Sequence, residues 1–290
     1  MIAAEFEYVA PSSLDEAIAL LGQLGGDAKL LAGGHSLIPI MKLRLARPSH
    51  VIDLRRLSAD LSYIREEDGA IAIGALATHH SLETSELLKA KLPIVSETAA
   101  VIGDVQVRNR GTIGGSLAHS DPAADYPAAI LALEAQIIAK GPQGERAIAA
   151  ADFFTDTFQS ALLPGEILTG VRIARHGPHT GWAYAKVHHP ASGYAVVGVA
   201  ASLSLDEQGA IRNARVGITG LGPKAFRATA VEKKLEKKKA EAGVLQAAAA
   251  QAAKGVEPLS DLHASAEYRA HLARVHTRRA LERALASAQA

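Results

Sequence analysis

The chain has 290 residues, 48% hydrophobic and 21% charged, enough apolar mass for a sizeable core in two domains and too much for an extended disordered chain. Its 31 basic and 30 acidic residues leave a formal charge of +1, so bulk electrostatics gives no support for nucleic-acid binding. Cysteine is absent, which excludes disulfides, cysteine nucleophiles and cysteine-ligated iron–sulfur clusters within this chain. The opening residues run into Glu5 and Glu7 with no basic stretch leading into an apolar one, the expectation for a cytoplasmic protein. No uncharged apolar run reaches the roughly 18–20 residues of a membrane span.

In chain order, Ser13-Leu14-Asp15-Glu16 has the form of a capping box, Ser13 with Glu16. Leu14, Ala17, Ile18, Leu21 and Leu24 then recur at helical spacing, and Gly25-Gly26 stops the helix. Lys29 to Ala32 reads as a buried strand feeding Ala32-Gly33-Gly34-His35-Ser36-Leu37. Pro39 and Pro48 bracket a segment carrying Lys42, Arg44 and Arg47, and His50 to Leu54 reads as the next strand. Leu61 to Arg65 and Ala70 to Leu76 flank Glu67-Asp68-Gly69 as a hairpin. Thr78 is expected to cap a helix reaching about Lys89, and Leu92 to Gly103 a second helix. Asp104 to Gly111 reads as irregular and leads into Thr112-Ile113-Gly114-Gly115-Ser116. A helix over Pro127 to Leu133, a hairpin of Ala135–Lys140 with Glu145–Ala149, and a strand over Ile167–Ile173 follow. Arg175-His176-Gly177-Pro178 reads as a linker. Beyond it lie strands over Trp182–His188, Tyr194–Leu205 and Ala210–Thr219, and then a tail from Arg227 to Ala290 that is almost wholly helical by propensity. That half is expected to be a β-meander backed by helices.

The two glycine pairs carry the functional reading. Without a Cβ, paired glycines let backbone N–H groups come close to an anion, and two such segments suit the two ends of a dinucleotide diphosphate. Bare turns are the alternative for each. Neither G-x-G-x-x-G after a strand nor G-x-x-x-x-G-K-S/T occurs, so the Rossmann and P-loop modes are excluded. Asp121 and Asp125, just beyond the second pair, would accept hydrogen bonds from a cofactor or else cap the following helix. Lys42, Arg44, Arg47, Arg108 and Arg110 would neutralise phosphates or form surface ion pairs. His35, His79-His80, His119 and His188-His189 show neither H-x-x-x-H nor H-E-x-x-H spacing, so no metal site is expected. Ser36 is not set in a G-x-S-x-G elbow. The lysines from Lys233 to Lys239 read as a solvated helical face.

Extended, the first motif runs from Leu31 to Ala46 as LAGGHSLIPIMKLRLA, and the second from Thr112 to Pro127 as TIGGSLAHSDPAADYP. Both, together with Ser265 to Ala273 and Arg278-Arg279 near the end, resemble the FAD-binding medium subunits of the molybdenum hydroxylases, the aerobic carbon monoxide dehydrogenase and xanthine dehydrogenase family. The resemblance runs the length of the chain. It implies an α+β fold: a two-subdomain FAD-binding domain of the vanillyl-alcohol-oxidase (PCMH) type over 1–176, split into about 1–57 and 58–176. An antiparallel sheet with helices would occupy 177–290. The backbones of Ala32, Gly33, Gly34, His35, Ser36 and Leu37 and of Thr112, Ile113, Gly114, Gly115 and Ser116 would hold the diphosphate. By the same resemblance Asp125 would hydrogen-bond the cofactor, Leu168 and Lys186 would lie beside the isoalloxazine, Ile102 would pack on it, and Tyr194 would approach its face. Lys186 would thereby stabilise negative charge on the reduced ring. The implied partners are a 2Fe–2S small subunit and a molybdopterin large subunit in a dimer of heterotrimers, with FAD relaying electrons to an external acceptor. A stand-alone FAD-dependent oxidoreductase of the same fold is the alternative.

Overall fold

A computed structural model describes residues 2–290. The first unit is a parallel sheet ordered β1-β3-β2, built from β1 (Glu7–Val9), β2 (Ala28–Leu31) and β3 (His50–Asp53). Helix α1 (Leu14–Leu24) makes the first crossover. Ser13 caps it by accepting from the Glu16 N–H at 3.1 Å, while Glu16 reaches back one residue further than a capping box requires, to the Ser12 N–H at 2.7 Å. Gly25, at φ +58°, ends it by donating to the Leu21 carbonyl. The second crossover contains α2 (Leu37–Lys42). The two prolines flanking this stretch gave no helical signal, but Pro39 falls in the first turn, where its missing N–H costs nothing.

After α3 (Ser58–Leu61), a five-stranded antiparallel sheet ordered β4-β5-β10-β6-β7 forms the second unit. Its strands are β4 (Ile64–Glu67), β5 (Ala70–Gly74), β6 (Gln136–Gly141), β7 (Gly144–Ala149) and β10 (Ile167–Ala174), with the small hairpin β8 (Phe154–Asp156) and β9 (Gln159–Ser160) between. Between β5 and β6 lie α4 (His79–Thr84), α5 (Glu86–Lys91), α6 (Pro93–Ala100), α7 (Val105–Arg108), α8 (Ile113–His119) and α9 (Tyr126–Ala132), and α10 (Ala150–Phe153) follows β7. The single helix expected from Thr78 to Lys89 is thus two. Ser85 leaves the helical conformation at ψ 114° and its hydroxyl caps the next helix by accepting from the Leu88 N–H. The stretch expected to be irregular holds α7, capped by Asp104.

The third unit is an antiparallel sheet ordered β11-β12-β13-β14, from β11 (Thr180–His188), β12 (Ala195–Leu205), β13 (Ile211–Thr219) and β14 (Phe226–Arg227). The tail, expected to be almost wholly helical, holds three helices, α11 (Thr229–Leu235), α12 (Ala242–Ala249) and α13 (Ala266–Gln289), with 250–265 left as turns and irregular chain. One face of the sheet packs on α11, α12 and α13. The other, through Tyr184 and Ala200, joins the core of the second unit around α9. The first unit has its own smaller core of α1, β3 and the Leu54–Leu61 turn, with Leu76 and Ile167 entering from the second. No helix among the described residues is long and apolar enough to cross a membrane.

Candidate functional site

A cleft of about 660 Å³ runs between the first two units and is edged by the third. Its size is that of a site for a sizeable small-molecule ligand. The segment leaving β2 forms one wall. Gly34 turns there at φ +79°, a conformation a side chain would strain. At Gly33 the reason is closeness: an added Cβ would overlap the carbonyl oxygen of Arg110 and lie 2.7 Å from the Gly111 Cα. Gly33 is therefore where the wall after β2 presses against the segment leading into the second glycine pair.

The two glycine segments play different roles. Among the described residues, the backbone N–H groups of Gly33, Gly34, His35 and Ser36 have no acceptor in the chain, and all four residues line the cleft. Unpaired backbone donors in a row make an anion-binding concavity. The second pair is not a loop but the first turn of α8. There Ile113 donates to Ala77, Gly114 to Ala75, Gly115 to the Thr112 hydroxyl at 3.1 Å and Ser116 to the Thr112 carbonyl. Free backbone N–H groups are thus a feature of the first segment, while those of the second are bonded within the chain. The glycines of α8 serve close packing instead: a Cβ on Gly114 would strike Ala75 and one on Gly115 would sit 2.9 Å from the Thr112 Oγ1.

Ala32, Leu37, Ile102, Thr112, Leu168 and Tyr194 line the cleft together with the glycines, His35, Ser36 and Ser116. Leu168 sits beside an irregularity in the β10–β6 ladder, between Leu168 and Gly170, a device that re-aims side chains next to sites. Asp125 also lines the cleft, but it is not the helix cap that the sequence left open, because its carboxylate makes no capping bond to α9. Instead it accepts from the Tyr184 hydroxyl at 2.6 Å and the Lys186 ammonium at 2.8 Å, all three being buried. Burial pushes the Asp125 carboxyl up, and the ammonium and phenol pull it back toward ionisation.

Two expected site residues are not on the wall. Ile113 is wholly buried in the core of the second unit, because the first helical turn points it inward. Lys186 lies behind Asp125, its ammonium also held by the Val101 carbonyl at 3.0 Å, so it meets the cleft through that carboxylate. None of Lys42, Arg44, Arg47, Arg108 or Arg110 lines the cleft, and Arg108 instead pairs with Glu83 at 2.8 Å.

Sequence reasoning missed His79 as a wall residue, having weighed it only for metal binding. It is buried at the start of α4, its Nδ1 has no partner, and its Nε2 would lie 2.5 Å from a Cβ on Gly111. Burial lowers its pKa to about 4, helped by His35 and Arg108, so the ring is neutral near pH 7. The only sequence trace of this contact is the glycine at 111. Asp121 completes the wall, its carboxylate accepting from the Ala123 N–H at 2.8 Å. No cluster of three metal-ligating side chains occurs among the described residues.

The donor row, the glycine-packed wall and the buried carboxylate suit an elongated cofactor with an anionic middle. Residues 4–175 match the family profile of the FAD binding domain in molybdopterin dehydrogenase, and residues 182–284 that of the CO dehydrogenase flavoprotein C-terminal domain. The chain is 42% identical to the carbon monoxide dehydrogenase medium chain of Hydrogenophaga pseudoflava over 99% of both chains. It is 41% identical to subunit alpha of the 6-hydroxypseudooxynicotine dehydrogenase complex of Paenarthrobacter nicotinovorans, over 97% of this chain and 94% of that one. Among solved structures, a cyanide-inactivated Cu,Mo-CO dehydrogenase superposes with a TM-score of 0.95 at 42% identity, covering 99% of this chain and all of that one.

Proposed function

The chain belongs to the FAD-binding medium subunits of the molybdenum hydroxylases, oxidoreductase components that bind FAD, and we propose that it is the electron-transfer subunit of one such enzyme. The observation that carries this reading is the row of unpartnered N–H groups from Gly33 to Ser36, residues that line a cleft in a chain whose residues 4–175 and 182–284 match the family. When bound, FAD supplies the redox chemistry that links a 2Fe–2S small subunit to an external acceptor.

The chain's own residues bind, orient and enclose. The N–H row after β2 receives the diphosphate, and the first turn of α8 closes the opposite side without a side chain in the way. Asp125, fixed by Tyr184 and Lys186, presents an acceptor to a cofactor hydroxyl or ring N–H. Ile102, Leu168 and Tyr194 give the ring system its apolar surroundings. Lys186 tunes the ring through Asp125 rather than by touching it.

Substrate oxidation falls to a molybdopterin large subunit. The similarity supports this division, since relatives named for carbon monoxide and for 6-hydroxypseudooxynicotine match almost equally well. The absence of cysteine in this chain is consistent with a cluster carried by another chain. We propose a dimer of heterotrimers in the cytoplasm as the working assembly. The test is affinity purification of the chain from its native host, with identification of what comes with it and a flavin and metal assay. Association with an iron–sulfur chain and a molybdopterin chain is expected. Flavin-dependent turnover of a small molecule by the chain alone would overturn the proposal.

A further inference from the structure

The loop joining β11 to β12 edges the cleft from the third unit, and beside the Gly193 N–H bond to the His189 carbonyl a ring nitrogen gathers its backbone. Ser192, Gly193 and Tyr194 line the cleft. The loop ends are fixed: His189 donates its N–H to the Tyr194 carbonyl at 2.8 Å, and Ala195 donates to the Ala123 carbonyl of the second unit. Gly193, at φ +71°, lies against Gly103 on the opposite wall, where an added Cβ would rest 3.5 Å from its Cα. Within the loop, the Nδ1 of His189 has three neighbouring donors: the Ser192 N–H at 3.1 Å, the Ala191 N–H at 3.3 Å and the Ser192 hydroxyl at 3.0 Å. Receiving two backbone N–H groups requires that nitrogen to be bare.

We propose that His189 is a positioning residue for the cofactor cleft, its bare Nδ1 folding residues 190–193 over the cleft edge. The inference rests on the FAD reading above. Without that acceptor the Ala191 and Ser192 amides lose their partner, and the hold on the residues that line the cleft edge weakens. The groups around His189 are few. His263, from the chain between α12 and α13, packs edge-on with ring centroids 4.0 Å apart. Asp261 of that same stretch is paired with Arg269. His188 precedes His189 on β11, and burial, with Lys186, keeps its pKa below the ordinary value. Asp121 and Asp125 face Tyr194 across the cleft.

Two measurements on the full-length chain test this. The first is hydrogen exchange of the 189–195 backbone, corrected for intrinsic rates, at pH 7.5. His189→Leu should lose roughly fivefold of the wild-type protection, the scale of one hydrogen bond. His189→Asn, whose side-chain oxygen accepts, should keep it. The second is the rate of FAD release from the loaded chain, followed by flavin fluorescence. It should rise roughly fivefold in His189→Leu and stay near the wild-type rate in His189→Asn. Wild-type protection and retention in His189→Leu overturn the proposal, as does the same loss in His189→Asn as in His189→Leu. If His189→Leu fails to fold, His189→Ala takes its place in both comparisons. A wild-type chain that takes up no FAD sinks the cofactor reading instead, while the exchange data still report whether His189 holds the loop.

Discussion

At the scale of single residues, the cleft depends on atoms that are missing as much as on atoms present. Gly33 is the sharpest case, because a methyl there would collide with the Arg110 carbonyl and Gly111 backbone rather than with a side chain that can swing aside. Gly33→Ala must therefore push the N–H row away from the α8 side. Overpacking of this kind costs about 1–3 kcal/mol, so FAD affinity should fall by roughly 5- to 150-fold. A fluorescence titration giving wild-type affinity would show that the approach of the two walls does not matter. Lys186 presents the opposite case, a group whose removal leaves something behind. Without its ammonium the buried Asp125 carboxylate keeps only the Tyr184 hydroxyl. Breaking a buried pair from one side costs about 3–5 kcal/mol, and Lys186→Met should lose that much in urea unfolding, with Asp125→Asn restoring part of it in the double variant. The sign with pH follows from the direction of the carboxyl shift. Burial already pushes Asp125 up, and losing the cation removes the main counterweight. A native carboxyl that titrates above its unfolded value holds a proton that the unfolded chain gives up. The variant's deficit should thus be smallest near pH 4 and grow toward pH 7.

At the scale of elements, α4 carries the molecule's clearest titration. His79 is its first residue, buried and neutral, with a pKa near 4 against an ordinary 6.5. A histidine with a depressed native pKa adds stability that is complete above pH 6.5 and is lost as pH falls toward 4, because the unfolded ring takes up the proton first. At about 1.4 kcal/mol per pH unit the loss is on the order of 3 kcal/mol. Urea midpoints of wild type and His79→Gln between pH 7 and 4 should converge as the pH drops, and parallel curves would mean that His79 is not the group responsible. The elements themselves were legible where a local signal stood alone. Ser13 and Gly25 announced α1, Asp68-Gly69 announced the β4–β5 hairpin, and the three long strands of the third unit read correctly because their apolar runs are long, whereas the two-residue β14 gave no such run. Boundaries failed where two local signals competed. Ser85 both ends α4 and begins α5, and a propensity reading averages over such a point. The glycine pair at 114–115 looked like a loop because glycine weakens helices. Its place in α8 is set by closeness to Ala75, a contact made across a fold that no local window contains. The same limit hid His79, whose neighbours Gly111 and Tyr126 come from α7–α8 and α9.

At the scale of the whole molecule, the candidate cleft is not built by the first two units alone. The family profile for the FAD-binding domain ends at residue 175, yet the segment carrying Asp125 is fixed from beyond it. Ala195 donates to the Ala123 carbonyl, Gly220 to the Pro122 carbonyl, and the Thr219 hydroxyl lies 2.7 Å from the carbonyl oxygens of both Pro122 and Ala124. Tyr184 and Lys186 then grip the carboxylate itself. The packing is as close as the hydrogen bonding: a Cβ on Gly217 would overlap the Ala128 carbonyl, so β13 lies directly on the backbone of α9. Tyr184, Ala200 and Ala225 belong to the same apolar core as Ile73, Tyr126 and Ile130. Two units that share a core expose it together when either opens, so neither gains by unfolding first. The full chain should therefore melt in one calorimetric transition despite matching two family profiles. Adding FAD should shift that whole transition upward rather than splitting it, because a ligand bound to the native state stabilises everything that unfolds with its site. Two resolved transitions, with FAD raising only the lower or only the upper, would show that the third unit merely abuts the site. Thr219→Val gives the same argument a local handle. It removes the hydroxyl between Pro122 and Ala124; the Pro122 carbonyl keeps the Gly220 N–H, while the buried Ala124 carbonyl loses this neighbour, about 1–3 kcal/mol of stability. If the third unit positions Asp125, FAD affinity should fall in that variant although Thr219 does not line the cleft.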